Sequence, residues 1–163
     1  MSTTESQQSA QDAMVASMGA ELGNTFFALY NEVVWLHAVW QEYRVIYGTS
    51  EEKLQVANRA AGFFFRIVQD ELWNSVLLRI ARLTDSPKTM GKTNLTIRAL
   101  PTLIVDSTLS QEVKALVEVA LAKSEFAREH RHKRLAHQDL ACATDASVSL
   151  RETLILPRGR SST

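Results

Sequence analysis

Apolar residues recur every three or four positions over most of this 163-residue chain, the spacing that lines one face of an α-helix. Met18, Leu22, Phe26, Leu29, Val33, Leu36, Trp40, Tyr43 and Tyr47 make one such series. It predicts a long helix over residues 11–47, with Gly23 as its weak point. Leu54, Ala57, Ala61, Phe64, Phe65, Val68, Leu72, Val76 and Ile80 make a second, which carries a helix to about Thr84. Between the two, Gly48 suits a helix C-terminus, and Thr49 with Glu52 has the spacing of a capping box. The Phe63-Phe64-Phe65 run asks for burial on more than one side, or for a dimer surface. Only six glycines and three prolines punctuate the chain, so little interrupts helices. We expect an all-α fold, an up-and-down bundle of four main helices plus short ones. It spans residues 11–156, between a disordered N-terminus (1–10) and a disordered tail (157–163).

A third series changes character along its length. Val113, Leu116, Val117, Ala120, Leu121, Ser124 and Ala127 share one face of a helix that Thr108 and Gln111 are spaced to cap. The next positions on that face are Arg131 and then Arg134 or Leu135. An inward arginine is costly unless an anion or a carboxylate meets it. Arg82 and Asp85, at the end of the second helix, are the polar residues placed to help; antiparallel packing lets Asp85 meet Arg131 or Arg134. Around these arginines, residues 126–140 hold three of the four histidines (His130, His132, His137) and the cations Arg128, Arg131, Lys133 and Arg134. On a helix, His137 lies about 120° round from Arg131 and roughly 9 Å along the axis. One helix thus offers an anion clamp beside a proton-transfer group. A solvated basic helix end is the plain alternative, since cations near a helix C-terminus are favourable.

An arginine, a polar residue, four further positions and a histidine (Arg131, His132, 133–136, His137) resemble the signature of the HEPN superfamily. Three blocks in order resemble its Abi-type, abortive-infection branch: W-N-S-V-L-L-R-I-A-R-L-T-D at 73–85, N-L-T-I-R-A-L at 94–100 and K-R-L-A-H-Q-D-L at 133–140. That branch more usually has Asn where this chain has His132. The resemblance implies a metal-independent endoribonuclease acting on single-stranded RNA, with a toxin-like role in phage defence. It also implies a homodimer that brings two motif helices into one cleft, and a nucleotidyltransferase-type antitoxin as partner. On this reading His137 is the main acid/base group, Arg131 the phosphate clamp and His132 a second polar group. Arg134, Arg128 and Lys133 bind substrate, and Asp85 and Arg82 support them.

Composition limits the rivals. A single cysteine, Cys142, forbids an intrachain disulfide, which fits a reducing, cytoplasmic setting. The first twelve residues hold no Lys or Arg, so no signal peptide is expected, and no apolar run approaches a membrane span. Net charge is zero, but residues 1–57 carry seven acids against Arg44 and Lys53, and the excess of base lies in the remainder. Such a chain is no general polyanion binder, though a local basic region can engage a few phosphates. We expect no metal and no cofactor: the clustered histidines stand two, five and seven apart, not three or four. The lone E-x-x-H, Glu129 and His132, lacks the second motif that di-iron bundles need. Gly91-Lys92-Thr93 is no phosphate loop, because the upstream glycine is missing and a helix precedes it. Pro87 and Gly91 instead mark a break over 85–94, after which a short helix starts near Leu95 and is disturbed by Pro101. Ala141–Leu156 is room for one more short helix. Two other functions stay open: a non-catalytic helical module that binds nucleotide, RNA or a partner of a toxin–antitoxin pair, and a DNA-binding regulator.

Overall fold

The computed structural model describes residues 3–48 and 50–131, which are almost entirely helical. Helix α1 (Thr3–Met18) leads through Gly19 into α2 (Ala20–Tyr47), and α3 (Glu51–Leu83) follows. A small hairpin, β1 (Lys88–Thr89) and β2 (Lys92–Thr93), and a 3-10 turn (Ile97–Ala99) connect to α4 (Leu100–Leu103), α5 (Ser107–Lys123) and α6 (Glu125–His130). The all-α expectation holds for these residues.

The long first helix is in fact two. Gly19 has φ 84° and ψ 164°, a backbone region open essentially to glycine, and the chain doubles back there. Gln11 Nε2 consequently donates to Asn24 Oδ1 at 2.7 Å, thirteen residues along. Residues 3–10, expected to be disordered, belong to α1. Gly23 is the point of closest approach rather than a weak link: a Cβ there would lie 2.6 Å from Val15 Cα.

The antiparallel register of α2 and α3 is read from three contacts. Arg79 meets Glu32 at 2.9 Å, Trp73 lies 6.3 Å from Trp40, and the Tyr47 hydroxyl donates to the Phe65 carbonyl at 2.7 Å. As one number rises the other falls. Residues 51–60 precede this paired stretch, and Glu52, Lys53, Val56, Ala57 and Ala60 line a cavity with Val45 and Ile46 at the end of α2. They form a helical arm, separated from the rest of α3 by non-helical Ala61 (φ −161°, ψ 63°). Ser50 caps this arm by accepting from the Lys53 N–H at 3.2 Å, one residue after the expected Thr49. Phe63 and Phe64, just past the break, are 82% and 59% exposed, so two of the three phenylalanines are not core.

Two clusters hold the bundle. Trp40, Tyr43, Tyr47 and Trp73 stack or tilt with centroids 5.4–6.3 Å apart, geometry worth about 0.5–1.5 kcal/mol per pair beyond area burial. Burial, then Tyr43 and Asp70, holds the Tyr47 phenol above its ordinary pKa. At the other end Leu77, Ala81 and Ala127 are fully buried, with Trp73 and Ile80 packed on them. Small alanines at this crossing let α6 lie close on α3.

The third apolar series splits. Val117, Ser124 and Ala127 are buried, but Leu116 is 69% exposed. The expected continuous helix also breaks at Ser124, whose N–H bonds back to Ala120 and Leu121. Asp106, not Thr108, caps α5, accepting from the Leu109 N–H at 2.8 Å. Pro101 opens α4 at a position where its missing N–H costs nothing.

Gly23→Ala tests the α1–α2 contact. Alanine suits a helix better than glycine by about 1 kcal/mol, but overpacking against backbone costs about 1–3 kcal/mol. Amide exchange across α1 should accelerate; exchange unchanged from the wild type would show that the contact yields without cost.

Candidate functional site

The C-terminal end of α3 is built from the two early sequence blocks. Thr84 turns its hydroxyl back to the Ile80 carbonyl at 2.8 Å and ends the helix. Asp85 follows, its N–H bonded to the Arg82 carbonyl at 3.3 Å. The chain then makes the β1–β2 hairpin over Met90 and Gly91, both at positive φ, as a two-residue hairpin turn demands. Gly91-Lys92-Thr93 thus forms the turn and β2. Asn94 closes the loop by donating to the Ser86 carbonyl and Thr89 Oγ1, each at 2.8 Å. Thr96 returns the chain to the end of α3: its buried hydroxyl lies 2.9 Å from both the Leu83 and the Asp85 carbonyl oxygens.

Across from this end stands α6. Ala127 packs against Leu77 and Ala81, which leaves the next turn of α6 facing the same stripe of α3. His130, 7% exposed, places Nε2 3.1 Å from Asn74 Oδ1. Arg131 directs both terminal nitrogens at Asp85, Nη1 to Oδ2 at 2.5 Å and Nη2 to Oδ1 at 3.3 Å. The inward arginine meets the carboxylate that its cost required, and of the two candidate arginines the one seen doing so is Arg131. Both side chains are only partly accessible, 20% for Arg131 and 31% for Asp85. Such a two-pronged, half-dry pair fixes the guanidinium plane as well as its charge.

The other predicted residues fall elsewhere. Arg128 donates to the Leu121 carbonyl at 3.1 Å and to Ser124 Oγ at 3.2 Å, so it closes the end of α5. Arg82 is exposed, and its carbonyl rather than its guanidinium holds Asp85. His132, Lys133, Arg134 and His137 lie outside the described residues, as does the third sequence block. His37, exposed and with Nε2 3.1 Å from Gln41 Nε2, borders an apolar groove of about 340 Å³ with Trp40, Trp73, Leu77 and Phe126. Sequence reasoning missed Thr96, Asn74 and the partnership of His130. Asn74 and Thr96 sit inside the two quoted blocks, and that position is the one signal that points to them.

A helical bundle whose inward arginine opens an arginine–polar–x4–histidine motif defines a protein of the HEPN class. The chain belongs to the AbiU2 family of HEPN proteins, a family related to abortive infection: the family model matches residues 19–152, a span that contains all three blocks. No curated protein and no solved structure matches the chain. Among the described residues no helix is long and apolar enough to cross a membrane.

Asp85→Asn leaves Arg131 facing a neutral partner and should lower stability by about 1–2 kcal/mol, the low end for a partly buried charge left unpaired. Asp70→Asn in the more exposed Arg66–Asp70 pair should cost no more than about 0.5 kcal/mol. Urea midpoints compare the two; equal losses would place Asp85 among ordinary surface acids.

Proposed function

We propose that this chain is a HEPN-type endoribonuclease that cuts single-stranded RNA without a metal, with a toxin-like role in phage defence. The observation that carries the reading is the Asp85–Arg131 pair. It holds a guanidinium in a fixed plane at the first position of the arginine–histidine motif, on the last described turn. Cleavage of RNA by its own 2′-hydroxyl needs a base for that proton, an acid for the departing 5′-oxygen and a cation for charge gathering on the phosphate. Arg131 supplies the cation. Asp85 orients that group toward the phosphate. His137 serves as base and acid, His132 as a second polar group, and Arg134 and Lys133 as substrate-binding cations. One such set is thin, and a homodimer that brings two motif helices together supplies both an acid and a base. A nucleotidyltransferase-type antitoxin is the expected partner.

The same pair favours one competing reading. If Arg131 serves only to staple α6 to α3, the basic end of the bundle is a non-catalytic module that binds RNA or a partner protein.

Mixed single-stranded RNA incubated with the protein in EDTA separates the two. The wild type should cut it and leave 2′,3′-cyclic phosphate ends. His137→Ala and Arg131→Ala should each lower the rate about 10²-fold or more. Arg131→Ala should also weaken binding and flatten its salt dependence, while His137→Ala leaves affinity near wild type. RNA bound and never cut supports the module; cleavage abolished by EDTA sinks the metal-free mechanism. Light scattering at micromolar concentration should give twice the chain mass, and a monomer that still cuts RNA would remove the paired-site argument.

A further inference from the structure

We propose that the Thr96 hydroxyl is a positioning group for the Asp85–Arg131 pair, and through it for the phosphate clamp. The last clause rests on the endoribonuclease reading above. Thr96 touches neither Arg131 nor the Asp85 carboxylate in any hydrogen bond described. It acts on the backbone that carries Asp85.

Helix ends leave carbonyl groups without intrahelical donors. Here Leu83, the last residue of α3, and Asp85, two residues on, both direct their carbonyls at the Thr96 side chain, at 2.9 Å each. Thr96 is 0% exposed, so no water replaces that hydroxyl. Its oxygen also accepts from the Arg98 N–H at 3.3 Å and caps the 3-10 turn, and its one O–H proton is shared between the two carbonyls. On its other side the Asp85 N–H is tied to the Arg82 carbonyl. Both peptide groups of Asp85 are therefore anchored, one by α3 and one by Thr96, and the Cα–Cβ bond between them has a set direction. That direction aims the carboxylate at both terminal nitrogens of Arg131. Side-chain freedom in Asp85 alone does not secure this, because the second prong, at 3.3 Å, is already near the limit of a hydrogen bond. The arrangement joins the blocks at 73–85 and 94–100: the second supplies the donor that finishes the first.

Removal of the hydroxyl at constant shape is the test. Thr96→Val keeps the branched side chain, and Thr96→Ser keeps the hydroxyl. The Arg131 guanidinium signals are observed by nitrogen NMR on the full chain and identified by their loss in Arg131→Lys. Held by Asp85, Arg131 should show separate, slowly exchanging Nη signals. Those signals should merge in Thr96→Val, as in Asp85→Asn, and stay separate in Thr96→Ser. In the RNA assay Thr96→Val should lower kcat about tenfold or more while KM moves less, the pattern of a misplaced group rather than a lost binding contact; Thr96→Ser should restore it. Should Thr96→Val not fold, Thr96→Cys keeps a weak donor and must show intermediate exchange. Wild-type exchange in a folded Thr96→Val or Thr96→Cys overturns the proposal. The two arms fail separately: a wild type that cuts no RNA overturns the catalytic reading, and unaltered Arg131 signals overturn the positioning.

Discussion

An arginine on the inward face of a helix is the constraint around which this molecule is arranged. Burying a guanidinium without a partner costs several kcal/mol, so the fold must deliver a carboxylate to Arg131. It does so from the far side of a 46-residue separation, at the point where α3 ends. Everything between the two residues serves that delivery. The hairpin reverses the chain, Thr96 pins it back onto α3, α4 and α5 carry it across, and Ala127 sets α6 close enough for Arg131 to reach.

The architecture depends on short-range chemistry at helix ends more than on the length of the helices. Gly19, Ser50 and Asp106 each decide where one helix stops or another begins, through a positive φ or a hydroxyl or carboxylate that accepts from a free backbone N–H, and Ser124 turns its hydroxyl to the Leu121 carbonyl where α5 ends. Arg128 illustrates the competition between structure and chemistry. It lies in the basic cluster, yet its guanidinium is spent on the Leu121 carbonyl and Ser124. A cationic stretch thus contains residues of different kinds: one closes a helix, and its neighbour three positions on faces a carboxylate.

The described surface keeps apolar residues exposed. Val33 and Trp35 on α2, Phe63 and Phe64 on α3, and Leu116 and Val119 on α5 all stand about half exposed or more. Singly such residues are ordinary, but Phe63 and Phe64 are adjacent and lie just past the break at Ala61.

Several features were legible in the residues alone. The three- and four-residue spacing specified helices and their apolar faces, because burial acts on each side chain in proportion to its own area. The same spacing placed Arg131 on the inner face and so demanded an anion, and Asp85 was the acid within reach. Three matters were decided only in three dimensions. The fold-back at Gly19 and the break at Ala61 depend on which helix packs against which, since glycine permits many conformations and alanine favours a helix until packing overrules it. The pairing of Asp85 with Arg131 depended on how α6 packs on α3, which no periodicity encodes. The role of Thr96 depended on two carbonyls contributed by a different element. A hydrogen bond between elements distant in sequence has no local signature, because its donor is an ordinary threonine until the fold brings the acceptors to it.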